Sequence, residues 1–430
     1  MVSQEQLADL QGLVAAWVQE NCSSSSVDEA EATAEQVARA AGAAVADVLI
    51  TNLGREKTYE GSRLPCECGE RAVFVGYRSR RVGTVWGDVR VERAYYRCPA
   101  CRRSQIPWDA SQGLDARLWS ARTKALVAEV GAQLPYQGTA DLLERILGFR
   151  IEDSSAEEVM IDVGGRLRAR QDALVAGYAD GQIVPLWVTR LRRLYVTMDG
   201  AIAHIGGSWH EVKTGVVYQG VPGKDGIDTT YRSRYVAAQE QAERFGSRLY
   251  MLAAMSGVQA AEEVVVIGDG ADWIWNIADH HYAGATQILD FFHATEHIRQ
   301  LARDYYGEGS KQGKRWADEH CHALKHHGPK KLLTALKRMK PKTPEQAEAL
   351  RLQLGYFTRN EHRMNYPQFR ERGMMIGSGP AEAGCKVVVG QRLKGAGMRW
   401  SEKGADAALA VRAALLSGDT AQIADAARAA

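Results

Sequence analysis

Residues 194–200 read LYVTMDG, a short apolar run that ends in an aspartate followed by a glycine. Residues 264–270 read VVVIGDG and follow the same pattern. Apolar runs that are rich in β-branched residues and stop at a turn signal are typical of buried strands, so each run predicts a strand that ends at its aspartate, Asp199 or Asp269. Carboxylates at neighbouring strand ends can share divalent cations, because Mg²⁺ prefers oxygen ligands.

The sequence around these two runs predicts an α/β fold with a mixed sheet. The segments AHIGG, WHEVKTGVVYQG and YRSRYVAAQ predict further strands, and a helix is expected over residues 239–255. After the second run, TQILD predicts another strand. A third carboxylate, Glu382, lies in GSGPAEAGCK, where Pro380 favours the first turn of a helix. This order, in which a helix-borne glutamate follows the two strand-borne aspartates, is the layout of a ribonuclease H-like core.

The composition limits the classes of protein that need to be considered. The chain has 430 residues, of which 45% are hydrophobic, so it can form more than one domain with its own core. Its 54 Lys and Arg residues nearly balance its 52 Asp and Glu residues, so any basic surface for nucleic acid must be local. The first residues lack the pattern of a signal peptide, and no apolar run is long enough for a membrane span. A cytoplasmic protein is therefore expected.

Four of the seven cysteines lie close together in the sequence. Cys66 and Cys68 form C-x-C, Cys98 and Cys101 form C-x-x-C, and the residues between the pairs alternate as antiparallel strands do. Four thiolates can complete a tetrahedral Zn²⁺ site, and two knuckles joined by a hairpin are typical of a zinc ribbon. Pro65 stands where a regular C-x-x-C would begin, so a hairpin with an incomplete or absent site is the alternative. The many arginines of this hairpin fit either phosphate contacts or a solvated surface.

Helical patterns occupy most of the remaining chain. The serines at 23–26 separate two expected helices near the N-terminus. Three amphipathic helices are expected over residues 111–180, and they fit either a helix-turn-helix that binds DNA or an ordinary packing unit. The predicted divisions are a helical region (1–60), a zinc-ribbon-like unit (61–110), a helical domain (111–180), a catalytic domain (190–415, with a helical insertion over about 300–375) and a tail (416–430).

Several longer segments resemble one family. VIGDGADWIWN, LDFFHATEHI and GSGPAEAGCKVVVGQRLKGAGMRW, together with VTMDGA and the cysteine hairpin that contains VERAYYRC, resemble the Kra group of bacterial insertion-sequence transposases. That group is distantly similar to Mutator-type transposases. The resemblance runs from about residue 60 to about residue 415, and residues 168–192 match no part of it. It implies a ribonuclease H-like core with an inserted helical subdomain, and a DDE transposase that cuts and joins DNA.

The resemblance also implies a catalytic centre and partners. Asp199, Asp269 and Glu382 correspond to the catalytic acids, which hold two Mg²⁺ or Mn²⁺ ions for phosphoryl transfer. The DNA partner is double-stranded, because both the element ends and the target are duplexes. A homodimer or a larger assembly is expected, since two element ends must be brought together. A bacterial transposase would be found in the cytoplasm, associated with the nucleoid.

Two further groups of residues are candidates for roles near this centre. Asp290 and His293 form a D-x-x-H that resembles an accessory active-site or structural element of Mutator-like enzymes, and packing at a helix start is the alternative. Basic residues around the glutamate are candidates for contacts with the DNA backbone, with a solvated basic surface as the alternative. These residues are Lys386, Arg392, Lys394 and Arg399.

Three other functions share parts of this pattern. A phosphatase of the haloacid dehalogenase type would need an aspartate two residues before Asp199 as its nucleophile, and Thr197 occupies that position. A domesticated, transposase-derived protein could bind DNA without strand transfer, although binding alone does not require three acids. A ribonuclease H-like nuclease would use the same acids, and the sequence leaves it open.

Overall fold

The computed structural model describes residues 3–54, 58–114, 119–186 and 189–428. The predicted divisions 1–60, 111–180 and 416–430 each include residues outside these ranges. The chain forms two compact units. The first contains residues 1–124, 140–152 and 428–430, and the second contains residues 125–139 and 153–427.

The first unit begins with the two helices that the sequence predicts. The break between them falls at the serine run, where Ser26 accepts a hydrogen bond from the backbone N–H of Glu29 and so caps the second helix. Neither helix contains a buried residue. The elements of this part are α1 (Gln4–Asn21), α2 (Val27–Thr51), β1 (Arg63–Pro65), β2 (Arg71–Thr84), β3 (Gly87–Arg97), β4 (Ser104–Gln105) and α3 (Pro107–Ser111).

Strands β1 to β4 form an antiparallel sheet in sequence order. The long β2–β3 hairpin carries most of the arginines that the sequence analysis considered as phosphate contacts. Two of them are engaged internally, because Arg80 and Arg93 both donate to the buried carboxylate of Asp109. A third, Arg78, lies 3.7 Å from the ring centre of Tyr95. These three arginines therefore stabilise the hairpin through contacts within the protein.

Two helices, α4 (Ala121–Gly131) and α5 (Tyr136–Leu147), have residues in both units. The second unit then contains α6 (Asp153–Ala179) and a five-stranded sheet. The strands are β5 (Leu191–Ile205), β6 (Ser208–Pro222), β7 (Asp228–Ala238), β8 (Ala261–Gly268) and β9 (Thr286–Leu289). The predicted strands are thus present, although LYVTMDG and the following AHI belong to one continuous strand.

The sheet is mixed, with the order β7-β6-β5-β8-β9. Strands β5, β6 and β7 are antiparallel neighbours, whereas β8 is parallel to β5 and β9 is parallel to β8. The central strands are buried on both faces, as expected for a sheet covered by helices on each side. The prediction that the first strand ends at Asp199 is wrong, because β5 continues to Ile205 in its pairing with β6.

Helices cover this sheet and extend the second unit. Helix α7 (Ala242–Ala254) precedes β8, and α8 (Asp272–His281) connects β8 to β9. A helical segment follows β9, as the sequence predicts, and it packs into the same core as the sheet. Its helices are α9 (Phe291–Tyr306), α10 (Lys311–His327), α11 (Lys330–Arg338), α12 (Pro344–Arg359) and α13 (Tyr366–Glu371), with a 3₁₀ turn at Glu361–Arg363. Another 3₁₀ turn, Val258–Ala260, lies between α7 and β8.

The last part of the chain carries Glu382 and returns to the sheet, where α14 contacts β5 and β6. It consists of α14 (Gly379–Gly384), a π-helical segment (Cys385–Gly390), α15 (Gln391–Leu393), α16 (Glu402–Leu416) and α17 (Thr420–Ala427). Helix α16 packs against β7 and α6, and α17 packs against α6. The predicted tail, residues 416–430, therefore contains the packed helix α17, in which Ile423 and Ala426 are fully buried.

Helix α6 belongs to the core of the second unit. Its apolar residues Val159, Met160 and Val163 are fully buried, and its Gly164 packs directly against Ala407 of α16. Among the described residues, no helix has the length and the apolar character that a membrane span requires.

Gly164 and its neighbour Gly165 provide a test of this packing. A Cβ atom at Gly164 would lie 2.5 Å from the backbone oxygen of Ala407, whereas a Cβ atom at Gly165 would meet nothing within 4 Å. We expect Gly164→Ala to lower the free energy of unfolding by about 1–3 kcal/mol through overpacking. We expect Gly165→Ala to raise it by about 0.5–1 kcal/mol, because alanine is the better helix former. Urea unfolding of both variants measures the difference, and equal effects would contradict the α6–α16 contact.

Candidate metal centre and acidic site

The first unit brings all four predicted zinc ligands together. The Sγ atoms of Cys66 and Cys101 are 3.6 Å apart, as are those of Cys68 and Cys98, and all four lie within 4.8 Å of one another. In a tetrahedral site with Zn–S bonds of about 2.3 Å, sulfur atoms are separated by about 3.8 Å. The four cysteines can therefore hold a structural metal such as zinc.

Backbone hydrogen bonds shape both knuckles of this cluster. In the first, the N–H of Gly69 donates to the carbonyl of Cys66, and Gly69 adopts a φ of 89°, which favours glycine. In the second, the backbone N–H groups of Cys101 and Ala100 approach the Cys98 sulfur and lower the pKa of its thiol to about 7. The C-x-C spacing of the first knuckle thus still permits a closed four-thiolate site.

In the second unit, Asp199 lies in β5, and Asp269 directly follows the adjacent parallel strand β8. Strands β5 and β8 pair as far as Thr197 and Ile267, and each aspartate lies two residues beyond its member of this pair. The two carboxylates are close enough for the charge of Asp269 to act on the pKa of Asp199. Both aspartates lie just beyond the point where the parallel pairing of β5 with β8 stops, and we call this part of the sheet the acidic edge.

Both aspartates are fixed by local hydrogen bonds. Oδ1 of Asp199 accepts from the N–H of Gly200 at 2.6 Å, and Oδ1 of Asp269 accepts from the N–H of Ala271 at 2.9 Å. Within the described ranges, neither carboxylate forms a salt bridge. Burial raises the pKa of Asp199 above its ordinary value, and the nearby charge of Asp269 raises it further. Such a pair of half-buried carboxylates is chemically suited to a divalent cation.

Glu382 lies in the first turn of α14, which packs on β6 and β5. One turn later, the thiol of Cys385 forms a hydrogen bond with the Asp199 carboxylate, and burial together with this charge raises the pKa of Cys385 to about 12. Glu382 itself is exposed. Among the described residues, its carboxylate does not join Asp199 and Asp269 in a group whose ligand atoms all lie within 4.8 Å of one another.

Asp290 occupies the next position along this edge. It follows β9, whose Leu289 pairs with Gly268, and so it lies level with Asp269. Its Oδ1 accepts from the N–H groups of Phe292 and His293, and its Oδ2 accepts from the N–H and the hydroxyl of Ser378. The carboxylate is buried, and each oxygen accepts two hydrogen bonds. Asp290 therefore connects the start of α9 to the segment that leads into the Glu382 helix.

Histidine and tyrosine side chains line the adjoining part of α9 and α12. The nearby His293 acts to lower the pKa of Asp199, in opposition to burial. Its ring lies against that of His297, with ring centres 4.9 Å apart. His297 stacks on Tyr356 at 3.9 Å, and the Tyr356 hydroxyl donates to the backbone oxygen of Asp269 at 2.7 Å. Burial lowers the pKa of His297. These contacts hold the turn after β8 in place beside the acids.

The four basic candidates divide into two kinds. Lys386, Lys394 and Arg399 are exposed and are accessible to a phosphate backbone. Arg392 is only 2% exposed, donates its Nε to the backbone oxygen of Gly131 at 2.8 Å, and lies 4.6 Å from the ring centre of Trp400. Burial also lowers the pKa of Arg392. The predicted phosphate contact does not fit this residue, which supports the core instead.

Sequence reasoning did not identify Cys385, Ser378 and Tyr356 as parts of this site. Cys385 and Ser378 flank Glu382 within GSGPAEAGCK, so their proximity to the glutamate was a usable signal. Tyr356 had no such signal, because α12 reaches the site only through the packing of the helical segment after β9.

The cysteine cluster predicts a defined metal content. We expect the purified protein to carry about one Zn²⁺ per chain and Cys98→Ser to lose it, because three thiolates cannot close the tetrahedral site. We also expect a lower melting temperature for the first unit. Metal analysis and thermal unfolding with and without a chelator measure both effects. Cys22→Ser is the control, since Cys22 lies outside the cluster; equal zinc in both variants would contradict the assignment.

The raised pKa of Asp199 predicts that replacing this carboxylate with a neutral amide stabilises the protein, by an amount that depends on pH. Its pKa in the folded state lies above the ordinary value of 3.8, so ionisation costs more in the folded state than in the unfolded state. In the presence of a chelator, Asp199→Asn should therefore raise the melting temperature at pH 7. The gain should shrink as the pH falls through the folded and unfolded pKa values, because the wild-type carboxyl is then neutral in both states.

The control for this comparison is Glu308→Gln, which changes the same charge on an exposed loop. Thermal unfolding monitored at a series of pH values should show no corresponding gain for the control. A destabilised Asp199→Asn variant at pH 7 would show that the ionised carboxylate is stabilised by its surroundings, contrary to the burial described here.

Comparison with known proteins gives one family assignment. No curated protein matches the chain. The family model described as "Uncharacterised protein family (UPF0236)" matches residues 31–427, which include the cysteine cluster, the sheet and the Glu382 segment. The match spans most of the 430 residues, and the chain belongs to the Uncharacterised protein family (UPF0236).

Proposed function

We propose that this protein is a DDE-type transposase that binds the ends of an insertion sequence and catalyses metal-dependent DNA strand cleavage and transfer. The observation that carries the proposal is the parallel pairing of β5 with β8, which ends two residues before each aspartate and brings Asp199 close to Asp269. Two half-buried carboxylates in this position lower stability through burial and mutual repulsion, and a catalytic cation site is a physical reason to retain them.

The sheet order supports a ribonuclease H-like core as the fold of the catalytic domain. Three antiparallel strands are followed by two parallel strands; the first of the five carries Asp199, and Asp269 directly follows the fourth. A helical segment then separates β9 from the helix that bears Glu382. This arrangement agrees with the resemblance to Kra-group and Mutator-type transposases, in which the third acid follows a helical insertion.

The proposed chemistry uses a pair of Mg²⁺ or Mn²⁺ ions, for which the carboxylates would supply the oxygen ligands. Asp199 and Asp269 each use Oδ1 in a hydrogen bond to a nearby backbone N–H, and the Cys385 thiol also contacts the Asp199 carboxylate. When bound, the ions would activate the attacking hydroxyl and stabilise the leaving oxygen of the phosphodiester. Asp199 and Asp269 would hold them, and Glu382 would complete the ligand set from the neighbouring helix.

Other residues would position the DNA relative to the acids. Lys386 is exposed and lies one helical turn after Glu382, so its ammonium group can contact the phosphate backbone near the reaction site. Lys394 and Arg399 follow on the same exposed segment and can extend this contact. The DNA is double-stranded at the element ends and at the target, and the active assembly is a homodimer or larger. The protein would act in the cytoplasm, at the nucleoid.

A π-helical segment directly after α14 is consistent with a functional role for Glu382. π-Helical turns are rare and occur frequently at functional sites, and this one covers Cys385–Gly390. Gly384 allows the close approach of α14 to the sheet, since a Cβ atom there would lie 2.8 Å from Cγ2 of Val216. The helix that carries the third acid is thus held against the strand that neighbours Asp199.

A strand-transfer assay tests the proposal. The purified protein is incubated with Mn²⁺ and with duplex DNA that contains the genomic repeats flanking its coding sequence. We expect joined products from the wild type and a loss of about 100-fold or more in Glu382→Gln, because the amide cannot replace an anionic ligand. The matched control is Glu345→Gln, an exposed glutamate in the first turn of α12, which should retain wild-type activity.

Each alternative function gives a different result in this assay. Metal-dependent cleavage without joined products would indicate a ribonuclease H-like nuclease. Binding without cleavage, identical in the wild type and in Glu382→Gln, would indicate a domesticated DNA-binding protein. Joined products that are equally abundant in Glu382→Gln would remove Glu382 from the proposed catalytic centre.

A further inference from the structure

Phe292 is the exposed phenylalanine of this chain, and it lies beside the acidic edge. Its side chain is 65% exposed, whereas the other six phenylalanines are buried or half-buried. Exposed tyrosine and tryptophan residues can direct a polar group to water, but phenylalanine has none. The exposure of Phe292 therefore leaves an entirely apolar ring in water, unlike the exposure of a tyrosine or a tryptophan.

The position of Phe292 is fixed by its surroundings. Its backbone N–H donates to Oδ1 of Asp290 at 2.6 Å, and it lies between the two members of the D-x-x-H motif. Its ring packs edge-on against Phe291, with ring centres 5.6 Å apart. The residue thus belongs to the first turn of α9, directly next to the carboxylate that lies level with Asp269.

Gly377 supports the ring from one side. A Cβ atom at Gly377 would lie 2.9 Å from Cε2 and 3.0 Å from Cδ2 of Phe292, so the ring rests against the glycine backbone. Gly377 does not have a positive φ, so contact with the ring is what a side chain at this position would disturb. The next residue, Ser378, is bound by Asp290, so the support is itself anchored.

We propose that Phe292 stacks on an unpaired nucleobase of the DNA strand next to the phosphate on which the acids act. This inference rests on the proposed function and names one contact of the same site. A supported aromatic ring with an open face is the kind of surface on which a base stacks, and such stacking tolerates any base, because every base has a π-face. Its place beside Asp290 and His293 locates the stacked base next to the reaction site.

The test uses the full-length protein and the flanking-repeat duplex, with 2-aminopurine replacing single bases on either side of the cut. Wild type, Phe292→Ala and Phe292→Trp are compared, with Tyr231→Ala as a control for loss of an exposed aromatic residue elsewhere in the same unit. We expect binding of the wild type and of Phe292→Trp to quench 2-aminopurine at one flanking position, and Phe292→Ala to leave it unquenched. Cleavage by Phe292→Ala should fall by about 5- to 100-fold and recover in Phe292→Trp.

A DNA that lacks the stacked base separates stacking from a structural effect. With an abasic site at the quenched position, the wild type should slow to the rate of Phe292→Ala, and the variant should lose nothing further. Equal melting temperatures of the two proteins are expected, because the ring is exposed. The inference is overturned if Phe292→Ala matches the wild type in quenching and cleavage, or if its defect persists in full on every abasic DNA.

The proposed function and this inference can fail separately. If the wild type binds the duplex without cleaving it in Mn²⁺, the transposase proposal fails, and the quenching data still decide whether Phe292 stacks on a base. If Phe292→Ala changes only the oligomeric state of the protein, the ring belongs to a protein interface and the inference is wrong. If the wild type does not bind the duplex at all, both proposals are wrong.

Discussion

The hydrogen bonds of one buried carboxylate, Asp290, hold the acidic edge of the second unit together. A buried charge is costly unless it is fully hydrogen-bonded, and Asp290 meets this requirement with four donors from two segments of the chain. Two donors begin α9, and two belong to Ser378, which lies far along the sequence. Removal of this carboxylate would release the segment that leads to Glu382 and would also uncap α9, so the geometry of both depends on it.

The parallel pairing of β5 with β8 is the second interaction that determines where the acids lie. It sets Asp199 beside Asp269, where burial and like charge act against ionisation of the first carboxylate. The N–H of Gly200, the Cys385 thiol and the nearby His293 offset part of that cost for Asp199, but burial and the charge of Asp269 still leave its pKa raised. Sites that sacrifice stability in this way are typical of catalytic centres, where a cation or substrate supplies the missing interaction.

The first unit is stabilised in a different way from the second. Helices α1 and α2 contain no buried residue, and the small antiparallel sheet is fixed by the four cysteines at one place and by the ion pairs of Asp109 at another. A small sheet of this kind buries little apolar surface, so a structural metal can contribute a large part of its stability. Metal binding and folding of this unit are therefore expected to be coupled.

The sequence by itself determined the elements that depend on local patterns. Apolar runs ending in Asp-Gly predicted β5 and β8, the serine run predicted the break between α1 and α2, and the cysteine spacing predicted the four-thiolate cluster. Local patterns did not locate the end of β5, because its continuation to Ile205 is stabilised by pairing with β6. Only the tertiary structure decided that Arg392 is a core residue, that Asp290 binds Ser378, and that Cys385 contacts Asp199. Each of these depends on packing between segments that are distant in the sequence, and a local pattern of residues carries no information about such contacts.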